Sequence, residues 1–394
     1  MHPRRLTGHI EADLPKKMVL LAGPRQCGKT SLAKDLVRKV GGSYYNWDIE
    51  KDRRILVSQK LDAGAALWAL DEIHKYRRWR NWLKGIYDEH GEEKEILVTG
   101  SAKLDVYGRG GDSLQGRYFF YRLHPLTFSE LTQKSFGESE DIFRFGQTPT
   151  RSDADTFLDL LNLGGFPEPL FSGSTRFANR WRLLYGTRIL REEVASLEHV
   201  LEIDKMEMLF HRIPDLIQSP ISINGLREDL EVAFETVRNW LKIFENLYLC
   251  FAVSPFGPSK LKAVKKEKKL YFWDWSRAIS EPARMENLIA THLLRLCHWI
   301  EDIEGQPAEL RYFRTRAGAE VDFVILKASK PWMAVEVKTA EQSLDRNLKY
   351  LLERVKVPWA FQVHLRGGQD WLAPSINGAR IRVLPAVTFL SQLP

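Results

Sequence analysis

The chain has 394 residues, of which 44% are hydrophobic and 28% charged, and its formal net charge is +7. This composition is typical of a globular protein and excludes a disordered or fibrous chain. The length predicts two or three domains. The longest stretch without Asp, Glu, Lys or Arg covers 14 residues, Asn246 to Ser259, which is too short for a membrane-spanning helix.

The number and spacing of the cysteines and the sequence of the N-terminus indicate the cellular compartment of the protein. Cys27, Cys250 and Cys297 are far apart and odd in number, which excludes a disulfide scaffold and a zinc ribbon and fits reducing conditions. The N-terminus lacks the apolar core of a signal peptide. We therefore expect a cytoplasmic protein that is not in a membrane and that slightly prefers anionic partners.

A phosphate-binding loop is predicted near the N-terminus. Residues 17–22 have the apolar pattern of a buried parallel strand, and residues 31–40 have that of a helix. Between them, Gly23-Pro-Arg-Gln-Cys-Gly-Lys-Thr30 fits the pattern GxxxxGK[ST], whose backbone amides face phosphate oxygens. Lys29 would reach the β- and γ-phosphates of ATP, and Thr30 would hold Mg²⁺. The predicted nucleotide-binding residues are Gly23, Pro24, Arg25, Gln26, Cys27, Gly28, Lys29, Thr30, Ser31 and Asp71.

An acidic pair follows the next apolar strand, residues 65–70. Asp71 is expected to bind Mg²⁺ through water, and Glu72 to orient and polarise the attacking water. Neighbouring residues on a strand point to opposite faces, but the chain turns at the end of a strand, so both side chains can serve one site.

A third strand, residues 95–101, is expected to place a polar side chain near the γ-phosphate. We favour Ser101 for this catalytic role, with Thr99 as the alternative. The following segment, residues 110–117, has the pattern of a short helix that ends at Arg117 and leads into a strand over residues 118–123.

These motifs resemble the AAA-type branch of P-loop ATPases. In that group an arginine at the end of the helix after the third strand is supplied to the active site of a neighbouring subunit. Arg117 occupies the corresponding position, and Arg109 is a weaker candidate. The resemblance therefore implies a catalytic role for Arg117 within a homo-oligomer.

Four further runs narrow the resemblance to a widespread group of bacterial and archaeal ATPases. They are residues 98–102, 114–118, 123–130 and 164–168. Members of this group carry a helical and winged-helix region and then a nuclease-like C-terminal domain, and the resemblance covers essentially the whole chain.

The middle of the chain has the pattern of a winged helix. Helical spacing over residues 206–217, 223–230 and 233–247 precedes a strand at 248–253. Six lysines and one glutamate in residues 260–269 fit a wing that contacts phosphates, or else a solvated loop. The third helix would expose Thr236, Arg238, Asn239 and Lys242 to nucleic acid. Acidic residues nearby count against tight binding, namely Glu228, Asp229, Glu231 and Glu235.

Two strands of period two, residues 319–326 and 332–338, form a second candidate site. In a hairpin centred on Ser329, residues whose numbers add up to 658 lie opposite each other, which pairs Asp322 with Glu336. Lys338 lies on the same face. Two neighbouring carboxylates repel each other unless a cation neutralises them, and a divalent metal ion would do so.

The acid followed by Glu-x-Lys resembles the PD-(D/E)XK nuclease core. The resemblance implies that Asp322 and Glu336 bind Mg²⁺ or Mn²⁺ and that Lys338 activates the attacking water. An acid on the preceding helix is also expected, and Glu286 fits. Val321 replaces the usual proline before Asp322. This fold also occurs as an inactive scaffold that binds nucleic acid, so cleavage and binding alone both remain open.

The sequence thus predicts an α/β protein with three domains. They are an AAA-like P-loop ATPase domain over residues 1–200, a winged helix over 201–270 and a restriction-endonuclease-like α/β domain over 271–394. The expected function is ATP hydrolysis coupled to a nuclease-like domain that acts on DNA or RNA. The alternative is a nucleotide-controlled switch whose C-terminal domain binds DNA, RNA or protein without cleaving.

Overall fold

The computed structural model describes most of the chain, namely residues 2–100, 104, 114–133, 150–194, 202–257 and 267–394. The chain divides into two compact units. The first unit is Met1–Leu126 with Asn246–Tyr248, and the second is Thr127–Glu245 with Leu249–Pro394. The division into three domains that the sequence suggested stays a prediction.

A five-stranded parallel sheet forms the centre of the first unit. Its strands are β1 (Met18–Ala22), β2 (Ser43–Asn46), β3 (Leu67–Asp71), β4 (Glu95–Gly100) and β5 (Tyr118–Arg122). They lie in the order β2-β3-β4-β1-β5. Every residue of β1 and β3 is buried, as expected for parallel strands covered on both faces. This parallel sheet confirms the predicted α/β fold class with a P-loop ATPase-like sheet.

Helices of the first unit position the loop after β1. They are α1 (Leu6–Asp13), α2 (Lys29–Val40), α3 (Glu50–Ser58) and α4 (Trp79–His90). Helix α2 begins directly after Gly28 and ends directly before Gly41, and both glycines have positive φ. Its buried residues Leu32, Ala33 and Leu36 lie on one face, and the helix contacts β3 and β4. The N-terminus of α2 therefore lies at the carboxyl edge of the sheet.

The second unit begins with helices. Their bounds are α5 (Phe128–Thr132), α6 (Arg151–Leu163), α7 (Pro167–Phe171), α8 (Thr175–Val194), α9 (Ile203–Leu216), α10 (Ile223–Leu230) and α11 (Phe234–Asn246). After α11, strands β6 (Cys250–Pro255) and β7 (Lys269–Phe272) pair in antiparallel fashion. No helix among the described residues has the length and apolar character needed to cross a membrane.

An eight-stranded sheet completes the second unit, in the order β12-β13-β11-β10-β9-β8-β6-β7. Its remaining strands are β8 (Ala308–Arg314), β9 (Glu320–Lys327), β10 (Lys330–Ala340), β11 (Trp359–Arg366), β12 (Trp371–Ile376) and β13 (Ala379–Pro385). The helices of this region are α12 (Glu281–Glu304), α13 (Arg346–Arg354) and α14 (Ala386–Ser391).

The β9–β10 hairpin turns at Ala328 and Ser329, which both have positive φ. The centre of the hairpin lies between these two residues. The prediction of a centre on Ser329 was therefore wrong. Beside the turn Lys330 pairs with Lys327, and their residue numbers add up to one less than the predicted sum. A bulge between Pro331 and Met333 then adds one residue to β10. From Met333 to Val335 the pairing therefore follows the predicted register.

Candidate functional site

The loop after β1 needs glycine at its first position. Gly23 has φ +152°, and a Cβ atom there would lie 2.2 Å from the backbone oxygen of Leu123. Gln26 and Gly28 also have positive φ, at 61° and 106°, which folds the loop tightly ahead of α2. The Lys29 ammonium lies across the loop and donates to the backbone oxygens of Gly23 (2.8 Å) and Pro24 (2.6 Å). These backbone angles and the Lys29 contacts together define the shape of the loop.

Arg4 holds this loop from the N-terminal segment. Its guanidinium, 6% exposed, donates to the backbone oxygen of Cys27 at 2.8 Å and also to that of His124. In a trans peptide the C=O and the next N–H point in opposite directions. Binding of the Cys27 oxygen by Arg4 therefore also sets the direction of the Gly28 N–H. Sequence reasoning missed Arg4, which lies outside every motif.

Asp71 accepts hydrogen bonds from three hydroxyl groups. Thr30 Oγ1 donates to Oδ2 at 2.8 Å, Tyr44 OH donates to the same oxygen at 2.5 Å, and Thr99 Oγ1 donates to Oδ1 at 2.6 Å. Asp71 is 2% exposed, so these bonds fix its carboxylate at the end of β3. The structure brings Thr30, Asp71 and Thr99 together, whereas Ser101 and Arg109 lie outside the described residues. Tyr44 was not predicted.

Glu72 leaves the sheet with φ 57°, a left-handed conformation that is strained for a residue with a side chain. Its carboxylate lies 3.3 Å from the Lys75 ammonium. Burial raises the pKa of Glu72, and the charge of Asp71 adds to this, while Lys75 and Lys29 oppose it. A carboxylate with a raised pKa is a better proton acceptor, which suits a general base.

Arg117 follows a turn in which its N–H donates to the Leu114 oxygen at 3.0 Å, just before β5. Of the predicted helix 110–117, only residues 114–117 are described. The guanidinium binds both oxygens of Asp88, at 2.6 and 3.2 Å. Arg117 must therefore leave Asp88 before it can act on a neighbouring subunit, and its catalytic role stays a prediction.

The first site fits magnesium and a nucleotide. Thr30 and Asp71 supply oxygen ligands of the type that Mg²⁺ prefers, and they already lie 2.8 Å apart. The positive φ at Gln26 and Gly28 and the helix N-terminus at Lys29 together form a cradle for phosphate.

The second site lies at the bulged hairpin. The Asp322 N–H lies 3.3 Å from Glu336 Oε2, and the Val337 N–H donates to Asp322 Oδ2 at 2.8 Å. Lys338 Nζ lies 2.6 Å from Glu336 Oε1 and 2.9 Å from Asp345 Oδ2. Asp322, Glu336 and Lys338 are therefore neighbours, and Asp345, which caps α13, joins them unpredicted.

Glu286 is engaged by other protein groups. Its Oε1 accepts from Tyr271 OH at 2.7 Å and lies 3.4 Å from Lys269 Nζ, and its Oε2 accepts from Gln218 Nε2 at 2.8 Å. Lys269 also lies 2.5 Å from Glu320 Oε1. The lysine run fits either a wing that contacts phosphates or a solvated loop, but its last member, Lys269, is 1% exposed and lies inside this cluster. Residues 260–266 are outside the described chain.

The pKa values at the second site reflect its burial. Burial raises the pKa of Asp322 well above its usual value, and the charges of Glu336 and Glu286 add to the effect. Burial also raises the pKa of Glu336 to about 7, against the opposing effect of Lys338. Within the described residues, no three His, Cys, Asp or Glu side chains are arranged to hold a metal ion. Metal binding by Glu286, Asp322 and Glu336 thus stays a prediction.

Three family models match successive parts of the chain. Residues 15–132 match an AAA domain, residues 154–280 match a domain of unknown function (DUF8612), and residues 283–383 match another (DUF4143). The chain is similar to the uncharacterized proteins Rv2008c of Mycobacterium tuberculosis and MJ1637 of Methanocaldococcus jannaschii. The first is 24% identical over 85% of this chain and 73% of its own length, and the second is 24% identical over 88% and 80%.

A solved structure of Thermotoga maritima RuvB matches 65% of this chain and 90% of its own, with 17% identity and a TM-score of 0.28. That score is too low to indicate a shared overall architecture. The family match to residues 15–132 and the parallel sheet agree on one point: the first unit contains an AAA-type ATPase-like domain.

Proposed function

We propose that this protein binds and hydrolyses ATP at the loop after β1. The observation that carries the proposal is the position of Asp71, whose carboxylate contacts the Thr30 hydroxyl at 2.8 Å beside the loop. In such a pair the Thr30 hydroxyl would bind Mg²⁺ and Asp71 would hold the ion through water, at the point where Lys29 would reach the β- and γ-phosphates.

Each residue of the nucleotide site has a separate role in the proposed reaction. Loop amides and Lys29 bind the phosphates, and Thr30 and Asp71 would hold Mg²⁺, which neutralises the developing charge. Glu72 orients the attacking water and accepts its proton, helped by its raised pKa. Thr99 keeps the Asp71 carboxylate in place through its 2.6 Å hydrogen bond.

Two variants test this proposal. Lys29→Ala should abolish nucleotide binding or hydrolysis, because the phosphates lose their ammonium partner. Glu72→Gln should bind ATP normally and hydrolyse it about 10²- to 10⁴-fold more slowly, since the amide cannot accept the proton. Binding of a fluorescent ATP analogue and release of phosphate are measured on both. Full activity of the Lys29 variant would refute the assignment.

We further propose that nucleotide state controls a C-terminal part that binds DNA or RNA. Helices α9 to α11, followed by the antiparallel pair β6 and β7, support a winged-helix arrangement. Arg238, Asn239 and Lys242 are exposed on α11 and could reach phosphates, although Arg238 lies 3.1 Å from Glu235. We expect moderate, salt-dependent binding.

Cleavage of nucleic acid is the second candidate function. The observation that favours it is the contact between Lys338 and Glu336 at 2.6 Å, beside Asp322, as the nuclease resemblance requires. Incubation with defined DNA and RNA, with ATP and Mg²⁺ or Mn²⁺, measures both binding and cleavage. Cleavage that is lost in both Asp322→Ala and Lys338→Ala would establish the nuclease, and binding without cleavage in all variants would exclude it.

A further inference from the structure

Glu286 and Glu320 share a buried cation, the Lys269 ammonium. The Lys269 side chain comes from β7 and is 1% exposed. Its Nζ lies 2.5 Å from Glu320 Oε1 and 3.4 Å from Glu286 Oε1, and it lies 5.4 Å from the centre of the Tyr312 ring. A buried ammonium is stable only beside compensating charges, and these two carboxylates provide them.

Two of the predicted metal ligands, Glu286 and Glu336, are already bound by protein donors. Tyr271 and Gln218 bind the two oxygens of Glu286, at 2.7 and 2.8 Å. Lys338 binds Glu336 at 2.6 Å. A divalent ion that used both carboxylates would have to compete with two ammonium groups, Lys269 at Glu286 and Lys338 at Glu336. The described side chains thus do not fit a metal ion held jointly by these carboxylates.

We propose that the Lys269 ammonium takes the place of a divalent cation at Glu286, so that this carboxylate and Glu320 are neutralised without metal. This inference rests on the proposed nucleic-acid-binding function and deepens it: it favours binding of DNA or RNA without cleavage over the second candidate function. The two carboxylates beside Lys269, at 2.5 and 3.4 Å, compensate the charge of the buried ammonium.

The test measures manganese binding directly, in the absence of ATP. Electron paramagnetic resonance counts bound Mn²⁺, and a thermal melt records the change in Tm on adding millimolar MnCl₂. The wild-type chain and Asp322→Asn should bind the same number of ions and show the same change in Tm. The nucleotide site is unaltered in both proteins, so it contributes equally to each measurement.

Lys269→Met removes the ammonium that Glu286 and Glu320 share. We expect this variant to melt at a lower temperature than wild type and to recover several degrees when Mn²⁺ is added, because the ion replaces the lost charge. Lys268→Met is the matched control, since the neighbouring lysine is exposed and should change neither quantity.

Two results would overturn the inference. The first is a Mn²⁺ ion that is bound by the wild-type chain and not by Asp322→Asn. The second is a Lys269→Met variant that folds but whose Tm does not rise when Mn²⁺ is added. If Lys269→Met does not fold, the comparison of Mn²⁺ binding between wild type and Asp322→Asn still tests the inference. ATP hydrolysis is assayed separately on the same proteins, so failure of the ATPase proposal leaves this comparison intact.

Discussion

Acid should destabilise the second unit through His292, which is 1% exposed. Its Nε2 accepts the Phe128 N–H at 3.2 Å, and its Nδ1 lies 2.9 Å from the Leu288 oxygen, to which it donates. The ring must stay neutral to accept the first bond. Burial lowers its pKa from 6.5 to about 4, against the raising effects of the Leu288 carbonyl and Glu130.

The size and sign of the effect follow from this shift. Between pH 6.5 and about 4 the unfolded chain binds a proton that the folded chain excludes, so stability falls as pH falls through this window. The full shift corresponds to a loss of about 3 kcal/mol in the free energy of unfolding. Between about pH 7.5 and about pH 5, the expected loss is about 2 kcal/mol.

Urea denaturation at these two pH values measures the loss, and His292→Gln supplies the comparison. Glutamine has no charge at either pH, so the variant should lack this part of the pH dependence whatever its absolute stability. Other groups titrate equally in both proteins and cancel in the difference. An identical pH dependence in wild type and variant would refute the reasoning.

Three further predictions concern the nucleotide site. Thr99→Val should lower kcat/KM for ATP about 10- to 100-fold, because a hydrogen bond to the charged Asp71 is worth about 1.5–3 kcal/mol; an unchanged value in steady-state assays would contradict this. Arg4→Ala should raise the KM for ATP, with partial recovery in Arg4→Lys, and equal KM values for all three proteins would argue against the loop contact. If Arg117 acts on a neighbouring subunit, Arg117→Ala should bind ATP but hydrolyse it slowly, while wild-type activity per molecule rises with protein concentration. A wild-type rate that does not depend on protein concentration would exclude a role of Arg117 in a neighbouring subunit. Asp88→Asn should leave the role of Arg117 intact.

Local sequence patterns predicted much of the first site. The loop between β1 and α2 and the acid at the end of β3 follow from short motifs whose strand and helix context can be read directly. Tyr44 and Arg4 could not be found in this way, because their partners lie 27 and 23 residues away and belong to no motif. Contacts of that kind depend on the order of strands in the sheet.

The second site shows a different limit. Alternation predicted the register that Met333 to Val335 adopt, although the bulge that produces it was not foreseen. Lys269 was read as part of a basic run because its neighbours in sequence are lysines. The structure places it in β7, where its side chain is buried. Burial of one charged residue depends on distant carboxylates, which no local composition reveals.

The position of Arg4 affects how the ATPase-like domain can be isolated. The family match begins at residue 15, so a fragment cut at that boundary would appear complete by sequence similarity. It would nevertheless lack the guanidinium that binds the Cys27 oxygen and, with it, helix α1. Weak ATP binding by such a fragment would then reflect the truncation and not the chemistry of the intact chain.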